Sequence, residues 1–163
     1  MGTGTPADPI ESLESVTYGA NPPQLKDTIL QFHHTLRLVV PVVIAINAGY
    51  ALISWRQERP YAMIHNVLAR MNIGFSHLQM FFGIILMIHS TKISYGSTPA
   101  APDSAYWTWT HPILMFSGIT CVTLALILPR NHKNDSDKHR LSLILNVLGL
   151  AIIVAGQALI PRS

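Results

Sequence analysis

Residues 75–90 read FSHLQMFFGIILMIHS. The stretch is apolar enough for the core of a bilayer, yet it holds His77 well inside and His89 at its edge. A ring nitrogen in hydrocarbon costs free energy unless it finds a partner. An apolar run of this kind reads as a membrane-spanning helix, and its histidine as a group that meets something inside a helical bundle.

Working outward, residues 28–54, 66–89, 110–128 and 140–160 form four apolar segments, each near the ~20 residues a bilayer requires. The sequence predicts an all-α, integral membrane four-helix bundle over residues 28–163, preceded by a polar N-terminal arm, residues 1–27. Composition agrees. Hydrophobic residues make up 49% and charged residues 12%, against about a quarter charged in an ordinary soluble domain, and the mean hydropathy is +0.33. The net charge of +3 and pI near 9.2 form no basic stripe, because the basic residues lie in the gaps between apolar segments. Membrane lipid, not nucleic acid, is the expected surrounding. A single cysteine, Cys121, excludes an internal disulfide and thiolate metal sites; it reads as a small packing residue. The arm lacks the apolar core of a signal peptide. Pro41 is expected to kink the first span, and Tyr106, Trp107 and Trp109 to form an interfacial belt at the mouth of the third.

Orientation follows from Lys and Arg. Arg56, Arg59, Arg70, Arg130, Lys133, Lys138 and Arg140 are seven of the eleven basic residues and flank one side. Lys26, Lys92 and Arg162 flank the other, and Arg37 lies within the first span. The positive-inside rule puts both termini outside, in the periplasm of a bacterium, with the protein multi-pass in the inner membrane.

At about 100° per residue each span shows a polar face. These are His33, Arg37, Val40, Ile44 and Asn47 in the first span, and Asn66, Arg70 and His77 in the second. His111, Met115, Gly118 and Ala125 line up in the third, and His139, Asn146 and Gln157 in the fourth. Helices that hide polarity from lipid face one another. His33, His111 and Gln157 fall at one depth, roughly 7 Å below the outer end at the helical rise. Two inward histidines at matched depth suit a haem with one axial imidazole on each face, and Arg37, one turn from His33, offsets propionate charge. His34 points off the stripe and is an alternative ligand. His77 lies deeper; its counterpart for a second haem is His139, across a vertical gap of about 10 Å. His65 and His132 are expected to be solvated in the basic links. A single histidine also suffices for the magnesium of a (bacterio)chlorophyll, the alternative cofactor. The absence of Cys-x-x-Cys-His excludes covalent c-type haem.

FHHTLR, FSHLQMFFGIIL, HPILMF and KHRLSLILNVLGLAIIVAG together resemble a family of small four-span membrane proteins of Bacteroidota and related bacteria, labelled cytochrome b. The resemblance covers residues 32–160. It implies roles for His33 and Arg37, for His77, Gln79 and Gly83, for His111 and Pro112, and for His139. The long polar arm, the 90–109 loop and Thr110, where an acidic residue is expected, depart from the pattern.

The resulting expectation is a b-type cytochrome that carries single electrons without bond chemistry of its own. It would be a subunit of a larger respiratory or photosynthetic electron-transfer complex. Other membrane subunits are its expected partners, with a c-type cytochrome on the periplasmic side, where the arm and the 90–109 loop lie. The competing expectations are a cofactor-free structural subunit and a chlorophyll-binding accessory subunit.

Overall fold

The computed structural model describes residues 25–89 and 104–161. The arm up to residue 24 and the loop residues 90–103 lie outside the described residues, as do the expectations that rest on them. Four long helices carry the fold: α1 (Leu25–Arg56), α2 (Met63–Ile88), α3 (His111–Ile127) and α4 (Asp135–Ala158). A π-helical turn, Tyr106–Thr110, leads into α3, and a 3-10 turn, Leu128–Asn131, follows it. All four helices, with α3 counted over its flanking turns, are long and apolar enough to cross a membrane.

Local chemistry sets the ends. The Arg59 amide bonds the Ser54 carbonyl at 3.0 Å and the Glu58 amide bonds Trp55 at 3.3 Å, which closes α1 in a Schellman turn. Glu58 is the left-handed residue of that turn, at φ 50°. Asn134 caps α4, its side chain accepting from the Ser136 amide at 3.0 Å. Asp135 and Asp137 complement the dipole in the first turn. Asp135 also accepts from the Tyr61 amide at 3.0 Å and pairs with Lys138 at 2.6 Å, so the α1–α2 link is tied to the start of α4.

The helices form a ring in which each packs on the next and α1 closes onto α4. Helices α1 and α3 are therefore diagonal, as are α2 and α4. The α3–α4 seam is the tightest: a Cβ on Gly149 would lie 2.9 Å from the Gly118 carbonyl oxygen, and one on Gly118 2.6 Å from Ile153. Small residues bring these two backbones into contact. The α2–α3 seam is the loosest. Val40, Ile44, Val122 and Ile153 form the core, with Ile73, Phe75, Met115 and Leu150 packed on it. Leu38, Val42, Ile46, Phe81, Ile84, Ile144 and Val154 point outward, as lipid-facing residues do.

The inward faces of α1, α3 and α4 include the expected Val40, Ile44 and Asn47, Gly118 and Ala125, and His139 and Asn146. On α2 the face is displaced by one residue. His65, Ala69, Asn72 and Ser76 are buried and Arg70 is exposed, a rotation of about 100° from the expected Asn66, Arg70 and His77. Close packing selects the small residues Ala69 and Ser76. The partner of His77 is local, since its Nδ1–H donates to the Ile73 carbonyl at 2.9 Å, one turn back. That bond satisfies the ring without reaching across the bundle.

The interior is unusually polar. Asn47, Ser54, His65, Asn72, Ser76, His139, Ser142 and Asn146 are all buried. Asn72 donates to Asn146 at 2.8 Å across the diagonal, and Asn146 donates to the Ser142 carbonyl at 2.8 Å. Asn72 Oδ1, Ser76 Oγ and His139 Nδ1 are buried without a hydrogen bond. A buried polar atom left unsatisfied costs about 1–3 kcal/mol.

Candidate cofactor site

At the end of the bundle where α1 begins and α4 finishes, the loose α2–α3 seam opens into a cavity of about 600 Å³. This lies within the range of roughly 300–1,000 Å³ occupied by small-molecule and cofactor sites. Its floor is Val40, Ser76, Ile119 and Ile153, and Met80, Met87, Met115 and Phe116 give it apolar walls. His33, Arg37, Gln79, His111 and Gln157 supply the polar groups. The structure thus brings His33, Arg37, His111 and Gln157 to one cavity, the two histidines from diagonal helices. His34 lies at the mouth, mostly turned to an exposed groove on α1 with Asp27, Gln31 and Thr35.

The two histidines are held differently. The π-helical turn stacks residues five apart, and the His111 amide bonds the Tyr106 carbonyl. Tyr106 is buried, at 8% exposure; only Trp109, at 65%, fits the expected interfacial belt. The Tyr106 hydroxyl donates to the Gly156 carbonyl. Its oxygen is then the acceptor for His111 Nδ1–H at 3.3 Å. That chain leaves His111 Nε2 as the nitrogen with the free electron pair, the arrangement of a metal-ligating histidine oriented by a second partner. The Trp107 ring packs 5.5 Å from the imidazole.

His33 is held from α2. The Gln79 amide donates to its Nε2 at 3.3 Å, which places the ring proton on Nδ1, buried and without a hydrogen bond. A Cβ on Gly83 would come within 3.2 Å of His33 Cε1, so glycine there makes room for the ring. Arg37 Nε and Gln79 Oε1 are likewise buried without partners. The Gln157 amide donates to the Arg37 carbonyl at 3.1 Å and joins α4 to α1 at this level. A flat apolar ligand with a metal centre and acidic substituents fits these groups: imidazoles from diagonal helices, a guanidinium with an unused N–H, and a glycine cradle.

The expected His77–His139 pair is not brought together. His77 is bound to its own helix. His139 is fully buried at the opposite end, donating from Nε2 to the Arg59 carbonyl at 2.9 Å. Its neighbour is His65, with ring centroids 4.3 Å apart. The expectation that His65 is solvated is therefore corrected: it is 5% exposed, bonded to Ser54 Oγ at 3.2 Å and to the Ala62 amide at 3.2 Å. Tyr61 and Tyr50 pack on its ring, each with centroids 4.7 Å away. Burial pushes the Tyr61 phenol above its ordinary value, against the pull of Arg130. His132 and His89 are exposed. No cluster of three His, Cys, Asp or Glu side chains suited to a metal ion occurs among the described residues. Comparison with protein-family models, with curated proteins and with solved structures finds no match.

Proposed function

We propose that the chain is a membrane-embedded b-type cytochrome, a one-electron carrier whose haem b lies in the cavity between His33 and His111. The observation that carries this reading is the pair of imidazoles facing one apolar cavity from diagonal helices, with His111 Nε2 left free by the Tyr106–Gly156 chain. Bound haem supplies an iron that accepts and releases single electrons. His111 is the prepared ligand. His33 would be the second residue to hold the iron, its Nε2 being shared with the Gln79 amide in this structure. Arg37 balances propionate charge, and the methionines and Phe116 keep water from the ring plane. The chain serves as a subunit of a larger respiratory or photosynthetic electron-transfer complex in a bacterial inner membrane. Both termini face the periplasm, where a c-type cytochrome docks.

One observation favours a second reading. Because Gln79 already occupies His33 Nε2, a macrocycle that needs a single axial ligand, such as (bacterio)chlorophyll, fits His111 alone. A reduced-minus-oxidised absorption spectrum of protein purified from its native membrane separates these. A sharp α-band lost in both His33→Ala and His111→Ala establishes the haem, whereas a far-red band lost only in His111→Ala establishes the chlorophyll. A flat trace leaves a cofactor-free structural subunit.

A further inference from the structure

The cavity accounts for His33, Arg37 and Gln79, but not for the polar groups below it. From the cavity floor, Ser76 Oγ is buried without a hydrogen bond, and one turn along α2 so is Asn72 Oδ1. Asn72 is bonded to Asn146, and Asn146 to both the Ser142 carbonyl and its hydroxyl. Three residues back along α4 stands His139, with Nδ1 buried and unpartnered, against His65, which reaches Ser54. Asn72, Ser76, His139 and Asn146 are at most 1% exposed. The steps from Ser76 to Asn72 and from Ser142 to His139 are about 6 Å and about 4.5 Å along the axis, a span that one water bridges between two polar groups. Buried water gathers where it can make two to four bonds to otherwise unsatisfied polar groups.

We infer that these side chains carry a file of internal water that conducts protons between the end of the bundle holding His65 and His139 and the floor of the cavity. The proton enters at the His65–His139 pair, whose ring centroids stand 4.3 Å apart with His139 Nδ1 unpartnered. Its surroundings are Asp135 and Lys138 on α4, Arg59 and Tyr61 in the α1–α2 link, Tyr50 on α1 and Arg130 on the 3-10 turn. Of these, Asp135, half-buried at the helix start, connects the pair to bulk water. Ser142, Asn146, Asn72 and Ser76 orient the water and do not ionise; the proton leaves into the cavity beside Gln79. The inference is independent of what fills the cavity, and a flat spectrum with proton flux intact leaves it standing.

The test uses the full chain in liposomes of phosphatidylcholine and phosphatidylglycerol, with a potassium diffusion potential set by valinomycin and a pH dye inside. The wild type is expected to carry protons faster than protein-free liposomes. The double variant Asn72→Leu, Asn146→Leu removes both partners of the central bond for apolar groups of similar size and is expected to return the flux to the protein-free rate. A wild-type flux equal to that of protein-free liposomes, or to that of the double variant, overturns the inference. A second measurement needs no variant. In uniformly 15N-labelled wild type moved into D2O, the side-chain amide signals of Asn72 and Asn146 fade within hours if the file is hydrated, and their persistence over days overturns it.

Discussion

Tyr106 accepts a hydrogen bond from His111 Nδ1–H and donates one to the Gly156 carbonyl, so a single phenol decides which imidazole nitrogen keeps its electron pair. Tyr106→Phe removes that acceptor. In the proposed haem site His111 would then donate less electron density to iron, and the expected outcome is a haem still bound but with a raised midpoint potential, read by redox titration. Loss of two hydrogen bonds should also lower thermal stability by about 1–3 kcal/mol; an unchanged potential would show that Tyr106 does not orient His111. At His33 the control is steric. Gly83→Ala puts a Cβ within 3.2 Å of Cε1, and the ring must move by a few tenths of an ångström to accept it. The low-spin spectrum of the proposed haem should weaken while helix content by circular dichroism stays constant. Helical spacing made His33, Arg37 and His111 legible as a set. Tyr106 was not, because an aromatic run before a span carries the same signal whether it meets lipid headgroups or turns inward through a π-helical turn.

At the scale of the helices, glycine spacing separates close packing from mere tolerance. Gly149 abuts the Gly118 backbone, whereas a Cβ on Gly74 meets nothing within 4 Å. Gly149→Ala has to part α3 from α4 and should destabilise by about 1–3 kcal/mol. Gly74→Ala should be neutral or stabilising by up to about 1 kcal/mol, the ordinary helix-interior gain over glycine. Melting of both variants in detergent checks the contrast, and equal shifts would refute the close crossing. The inward faces of α1 and α4 were readable because their polar residues Asn47, His139 and Asn146 are buried in the interior. On α2 the polar residues misled. Arg70 is exposed, and His77 bonds its own helix, so neither reports the interior, and the small residues Ala69 and Ser76 set the face instead. The His65–His139 contact joins residues 74 positions apart in two link-flanking helix ends, and no local pattern announces it.

For the whole molecule, the two ends of the bundle differ in chemistry, and the direction of any electron or proton transfer depends on which end faces the cytoplasm. The end with the short links carries Arg56, Arg59, Arg130, Lys133, Lys138 and Arg140 together with the His65–His139 pair. The cavity opens at the other end, beside Lys26 and Pro161. Loops rich in Lys and Arg resist translocation and stay in the cytoplasm; in the proposed orientation the inferred proton file would begin there and the cavity would lie toward the periplasm. Lys133 is exposed in the α3–α4 link and is a suitable reporter, since the native thiol, Cys121, is within α3 and can be replaced. In a Cys121→Ser background, Lys133→Cys should resist a membrane-impermeant maleimide in intact cells and react after lysis. Ser97→Cys, between the second and third spans, should react in intact cells. Labelling of position 133 and protection of position 97 would invert the molecule, place the cavity at the cytoplasmic face, and exclude a periplasmic c-type cytochrome as the partner docked above it.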